Sequence, residues 1–163
     1  MASGPVKHPV KNFIPLFVMV ALVLGLTAFG VVFLAQELML AFMGYFFLVF
    51  GLLKVVRIHG FAEAYSMYDV LAMRSKAYAY GYPFLELSFA AAYLLAWQVE
   101  IVSAVVFVVM LIGAYGVYKK LQLKEEIPCA CLGTVFKIPM TWVTLGEDLL
   151  MAAMALMILL RSV

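Results

Sequence analysis

Cys129 and Cys131 are the only two cysteines in a chain of 163 residues. They stand one residue apart in "EEIPCACLGTVFKIP" (125–139), a polar loop between two long apolar runs. Three readings fit this spacing: a redox pair, a ligand pair for a soft metal, or two thiols without chemistry. In an extended segment, residues i and i+2 lie about 6.6–7 Å apart at Cα, at or beyond the usual disulfide limit of about 6.8 Å. A direct bond therefore needs a tight turn, which small Ala130 and flexible Gly133 permit. Strained disulfides of that kind are the readily reduced, catalytic ones. Thiolates equally select copper, mercury or zinc. Two of them do not complete a zinc tetrahedron, and His59 and Met140 are the further ligands that metal ligation would draw on.

Four charged residues lie within the apolar runs. Glu86 is the deepest acid, and an ionisable group inside a membrane span is a functional candidate whose partner must be named. Lys54, near the end of a neighbouring run, is the expected partner. Glu147 and Asp148 form an acidic pair near the start of the last run. Thr144 and Glu147 match a capping box, and acids suit a helix amino terminus. Asp148 lies one position further in and faces the bundle on this reading. Lys54, Glu86, Glu147 and Asp148 together make a supporting polar cluster. Lys119, Lys120, Lys124 and Lys137 flank the thiols, where positive charge raises the thiolate fraction. Asp69, Glu63 and Arg74 read as solvated charges. The sequence holds no phosphate loop, zinc-protease motif or serine triad.

The elements that must position these residues are membrane helices. Hydrophobic residues make up 67% of the chain and charged residues 12%, and mean hydropathy is +1.11. A soluble domain is about half apolar and a quarter charged. Five runs approach the roughly 20 apolar residues a crossing needs: 16–35, 38–56, 82–99, 101–118 and 145–160. The first is too long in its apolar core for a signal peptide and lacks a small-residue cleavage site, so a retained span is expected. Pro83 falls in the first turn of the third run. Short links after the first and third runs make those neighbours antiparallel. The predicted fold is an all-α integral membrane bundle. It comprises a tail (1–15), an extra amino-terminal helix (16–35) and a four-helix domain (38–163). That domain includes an amphipathic interfacial helix (60–76) and the cysteine loop (119–143). Tyr65, Tyr68, Tyr78, Tyr80 and Tyr82 suit the headgroup zone.

With five crossings, ten of the eleven Lys and Arg residues fall on one side and only Arg161 on the other. The positive-inside rule makes the first side cytoplasmic. The expected localisation is the inner (plasma) membrane, multi-pass, with the amino terminus and the Cys-x-Cys loop inside and the carboxy terminus outside. Cytosolic thiols are kept reduced, so a permanent structural disulfide is disfavoured. The bilayer is the first partner. Nucleic acid is excluded, because the basic residues form no continuous patch.

"GYFFLVFGLLKVVRIHGFAEAYSMYD" (44–69), "YPFLEL" (82–87) and "CACLGTVFKIPMTWVTLGEDLLMAAMALMIL" (129–159) follow one another in an order that resembles MauE/DoxX-type membrane proteins. The resemblance covers about residues 40–160, and the span 16–35 is extra to its four-helix core. It looks like a subgroup sometimes preceded by a heavy-metal-associated domain. The resemblance implies a redox-associated membrane protein. MauE itself is associated with maturation of the disulfide-rich small subunit of methylamine dehydrogenase. This chain departs from that pattern where its charges place the thiols inside. The leading expectation is thiol–disulfide chemistry at Cys129 and Cys131, with a thioredoxin-like partner. The alternative is a transporter of copper, mercury or zinc, with Cys129, Cys131, Met140 and His59 as ligands and a metal-binding chaperone domain as partner. A non-catalytic membrane subunit is the third reading.

Overall fold

The computed structural model describes residues 14–124, 127, 129–130 and 142–161. Cys131, Lys137 and Met140 lie outside them. The described chain is all helical: α1 (Ile14–Leu34), α2 (Leu38–Val56), α3 (Ile58–Tyr65), α4 (Lys76–Leu94), α5 (Val99–Gln122) and α6 (Trp142–Arg161). Lipid offers no hydrogen-bond partner to backbone groups, so a crossing segment must satisfy them within itself. Four helices, α1, α2, α5 and α6, are long and apolar enough to cross a membrane.

The third crossing expected over 82–99 differs in register. The helix runs from Lys76 to Leu94 and carries Pro83 in its interior rather than in its first turn. Ser75 sets the start, since its hydroxyl accepts the Tyr78 backbone N–H at 3.3 Å. The stop is a Schellman turn. Trp97 N–H donates to Ala92 O at 2.8 Å and Ala96 N–H to Tyr93 O at 3.2 Å. Starting in "KAYAYG", α4 is more polar at its amino end than the other four long helices. A five-crossing count from hydropathy alone is therefore corrected to four clearly apolar spans plus α4.

Ala96 takes the left-handed position of this turn, with φ 51°, where glycine is the usual residue. Ala96→Gly removes a Cβ penalty of about 1–2 kcal/mol against the greater flexibility of glycine in the unfolded chain. A net gain of about 0.5–1 kcal/mol is expected, read as a higher unfolding midpoint in detergent. A lower midpoint would contradict the assignment.

The interfacial helix expected over 60–76 is also revised. It ends at Tyr65, and turns follow to residue 74. Asp69 fixes them, its Oδ1 accepting from Leu71 N–H at 2.9 Å and Ala72 N–H at 2.8 Å. Asp69 is buried rather than solvated, while Glu63 and Arg74 are exposed. Of the five tyrosines assigned to the headgroup zone, Tyr65, Tyr68 and Tyr82 lie inside the bundle. The amphipathic period is real. Its apolar face covers protein instead of lipid, with Phe61, Ala62, Ala64 and Tyr65 all buried. Gly116 of α5 admits this segment, because a Cβ there would overlap the Tyr68 carbonyl.

The most extensive packing is between α2 and α4 and between α5 and α6. At one end, Arg161 Nη1 meets Glu37 Oε1 at 3.2 Å, tying the end of α6 to the start of α2. This pair is largely exposed and contributes little. At the other end stand Lys54, the start of α6 and the end of α5, which together frame the site. α1 packs on α2 through Leu16, Val23, Thr27 and Gly30. The Thr27 hydroxyl is satisfied within its own helix, donating to Val23 O at 2.8 Å.

Candidate functional site

A cavity of about 40 Å³ opens among α2, α3, α4, α5 and α6. Its polar wall is Lys54, Glu86, Thr144, Glu147 and Asp148, with Ala130 of the cysteine loop beside them. Its aromatic wall includes Phe47, Phe50, Phe61, Tyr65 and Tyr82. The four members of the polar cluster singled out in the sequence thus converge on one cavity.

Lys54 and Glu86 are both buried. Lys54 Nζ lies 2.5 Å from Glu86 Oε1. The ammonium also sits 5.5 Å from the Phe61 ring centroid and 5.3 Å from that of Tyr82. Cation–π attraction of this kind strengthens where water is excluded. Glu86 Oε2 is buried with no hydrogen-bond partner among the described residues. The ring of Tyr65 lies 5.0 Å from Phe61 and 4.6 Å from Tyr82. Burial, then the neighbouring Tyr82 and Asp69 groups, push the Tyr65 phenol well above its ordinary range. It therefore stands as a neutral O–H.

Thr144, Glu147 and Asp148 line the cavity because they fall at i, i+3 and i+4 on one face of α6. This replaces the capping-box reading. Thr144 is a buried residue within α6, and its Oγ1 lies 3.4 Å from Cys129 Sγ. Glu147 and Asp148 are half-buried. Asp148 is within Coulombic range of Lys54, Cys129, Glu147 and Glu86. Opposite it, Gly113 of α5 lines the same cavity, and a Cβ there would make only ordinary contact, 3.6 Å from Asp148 Oδ2. Cys129 is only 5% exposed and shares an apolar cluster with Leu16, Val23, Val49 and Phe50 of α1 and α2. The extra amino-terminal helix therefore helps wall in the thiol.

His59 does not line this cavity. It is exposed on α3, with its Nδ1 3.1 Å from the Tyr80 hydroxyl. Among the described residues, no three of His, Cys, Asp and Glu are grouped as a metal ion would need. Thr144 and the aromatic wall are the site residues that the sequence reading passed over. The i, i+3, i+4 pattern of Thr144, Glu147 and Asp148 is the signal that could have found the first.

A buried ion pair with two further acids, a thiol at its rim and an order of motifs running from α2 to α6 are the features to compare with known families. The family model described as methylamine utilisation protein MauE matches residues 20–161. The chain belongs to the MauE family. The match takes in most of α1, all of α2 to α5, and α6 to its last residue. No curated protein and no solved structure matches the chain. Membership and the apolar helices make this a MauE-type multi-pass membrane protein.

Proposed function

We propose that this MauE-type protein carries out thiol–disulfide exchange in the membrane, with Cys129 and Cys131 as the redox pair and a thioredoxin-like protein as the partner. The observation that carries the reading is the setting of Cys129. It is buried, held 3.4 Å from the Thr144 hydroxyl, and placed beside a cavity that holds an ammonium and three carboxyls. A thiol kept only as apolar filler has no use for charged neighbours, which are costly in a bilayer. In the exchange, one thiolate attacks a partner disulfide sulfur and releases one partner thiolate. The second cysteine then attacks the mixed disulfide and releases the other. The dithiol is oxidised and the partner disulfide reduced, two protons passing to the partner's sulfurs.

The experiment is to mix the reduced, purified chain with an oxidised thioredoxin-like protein of the more oxidising kind, near about −120 mV. The wild type is expected to reduce the partner. Cys129→Ser and Cys131→Ser are each expected to stop the turnover, with the variant that retains the attacking thiol accumulating a mixed disulfide. Undiminished reduction by both variants would sink the reading.

This reading also takes α4 as the fifth crossing, since it packs between α2 and α5. The end of the bundle bearing Lys54, Arg57, Arg74, Lys76, Lys119, Lys120 and Lys124 then faces the cytoplasm. In a cysteine-free background, Lys119→Cys is expected to react with a membrane-impermeant maleimide only in permeabilised cells. Trp97→Cys, in the link at the opposite end, is expected to react in intact cells. The inverse pattern would turn the thiols outward and favour delivery of disulfides to a secreted enzyme.

A further inference from the structure

The cavity holds more acid than base. Glu86, Glu147 and Asp148 bring three carboxyls, and Lys54 brings the one ammonium among the described lining residues. That ammonium is engaged with Glu86 Oε1. Glu86 is only 3% exposed, and its second oxygen has no partner among the described residues. A carboxylate oxygen buried without a donor is unstable unless a water or a proton reaches it. The cavity can supply either. Its volume of about 40 Å³ exceeds the roughly 10–15 Å³ that one water occupies, and polar groups stand around it.

Surplus negative charge in a bilayer must also be offset by a cation or a proton. Glu86 Oε2 is buried without a donor among the described residues, and the cavity beside Glu86 has room for water, so the proton is the counter-charge that this geometry favours. The groups facing the carboxyls come from every packed element. They are Lys54 on α2, Tyr65 and Tyr68 on α3 and the turn after it, and Tyr82 on α4. α5 supplies Met110 and Gly113, neither of which titrates. Cys129 connects to the cavity through Thr144, whose hydroxyl lies 3.4 Å from Sγ and whose side chain lines the cavity wall. A hydroxyl can accept a proton on one side and donate one on the other.

We propose that the cavity is a proton-exchange site serving Cys129, in which Glu86, Glu147 and Asp148 hold the proton that the thiol gives up or regains and the Thr144 hydroxyl passes it across. The inference rests on the thiol–disulfide reading. The Cys129 thiol loses its proton through Thr144 and cavity water to a carboxylate, which becomes a carboxylic acid. The electron pair left on sulfur then forms the new S–S bond with the partner disulfide. The partner S–S bond breaks, and its leaving thiolate takes up a proton from water. The cavity returns its held proton to solvent before the next turnover.

The test uses the full chain carrying Cys131→Ser, in detergent, reacted with dithiodipyridine across a pH series. Thr144→Val, Thr144→Ser, Asp148→Asn and Glu147→Gln are compared in that background, with unfolding midpoints as controls. Loss of a general base slows proton transfer on the order of 10²-fold. Thr144→Val and Asp148→Asn are expected to slow the reaction by about that factor near neutral pH and to flatten its pH profile. Thr144→Ser, which keeps the hydroxyl, is expected to restore the rate. Rates and pH profiles unchanged in all four variants, with the wild-type chain still reducing a thioredoxin-like protein, would overturn the proton site and leave the redox reading standing. A wild-type chain that exchanges with no disulfide at all would overturn both.

Discussion

Glu86→Ala is expected to lower the stability of the detergent-solubilised bundle by about 3 kcal/mol, the low end of the cost of breaking a buried ion pair by removing one partner. The substitution leaves the Lys54 ammonium among Phe61 and Tyr82 without its 2.5 Å carboxylate. Glu147 and Asp148 remain on the same cavity and offset part of the loss, which is why the upper end of the range is not expected. Adding Lys54→Met should recover most of the stability, because an apolar side chain of similar length suits the aromatic wall. If the double variant is instead as unstable as the two single variants added together, the two residues are not coupled, and the pair does not hold α2 to α4.

The second large effect concerns the thiols. A single intervening residue forces Cys129 and Cys131 into a strained ring on oxidation. Strained disulfides have higher reduction potentials, whereas structural ones lie below about −300 mV. The Cys129–Cys131 couple is therefore expected well above about −300 mV, in the range of labile and catalytic disulfides. In that range the reduced chain passes electrons to the more oxidising thioredoxin-like proteins, whose potentials reach about −120 mV. A potential below that mark would make the bond structural, and the chain would then be better regarded as a scaffold subunit.

Much of the architecture was legible in the sequence because lipid imposes a simple rule: about 20 apolar residues in a helix cross, and little else does. α1, α2, α5 and α6 follow from that rule. α4 was misplaced because its hydropathy begins at Tyr82, whereas its helix begins where Ser75 supplies a cap. Hydropathy registers the bilayer and says nothing of capping hydrogen bonds. The segment after α2 shows a period that fits an interfacial helix, but period alone does not tell lipid from protein as the covering surface. Gly116, which lets Tyr68 approach α5, decides that point only in three dimensions. Lys54 and Glu86 could be paired from sequence, since a charge in a span needs a partner. The place of Thr144 could not be paired in the same way, because its 3.4 Å approach to Cys129 joins residues 15 apart that no sequence period relates. His59 stands on α3 against Tyr80 and off the cavity wall, a placement set by helical register that membrane side alone does not give.

Cys129, beside an acid-lined cavity, is proposed to act with Cys131 as one redox centre. A redox titration of the purified chain, following thiol content by alkylation and mass, with metal content measured on the same sample, decides this. One two-electron transition above about −300 mV is expected, lost in both Cys129→Ser and Cys131→Ser, with no metal lost along with it. Stoichiometric copper, zinc or mercury that leaves when either cysteine is replaced, without a redox transition, would contradict it.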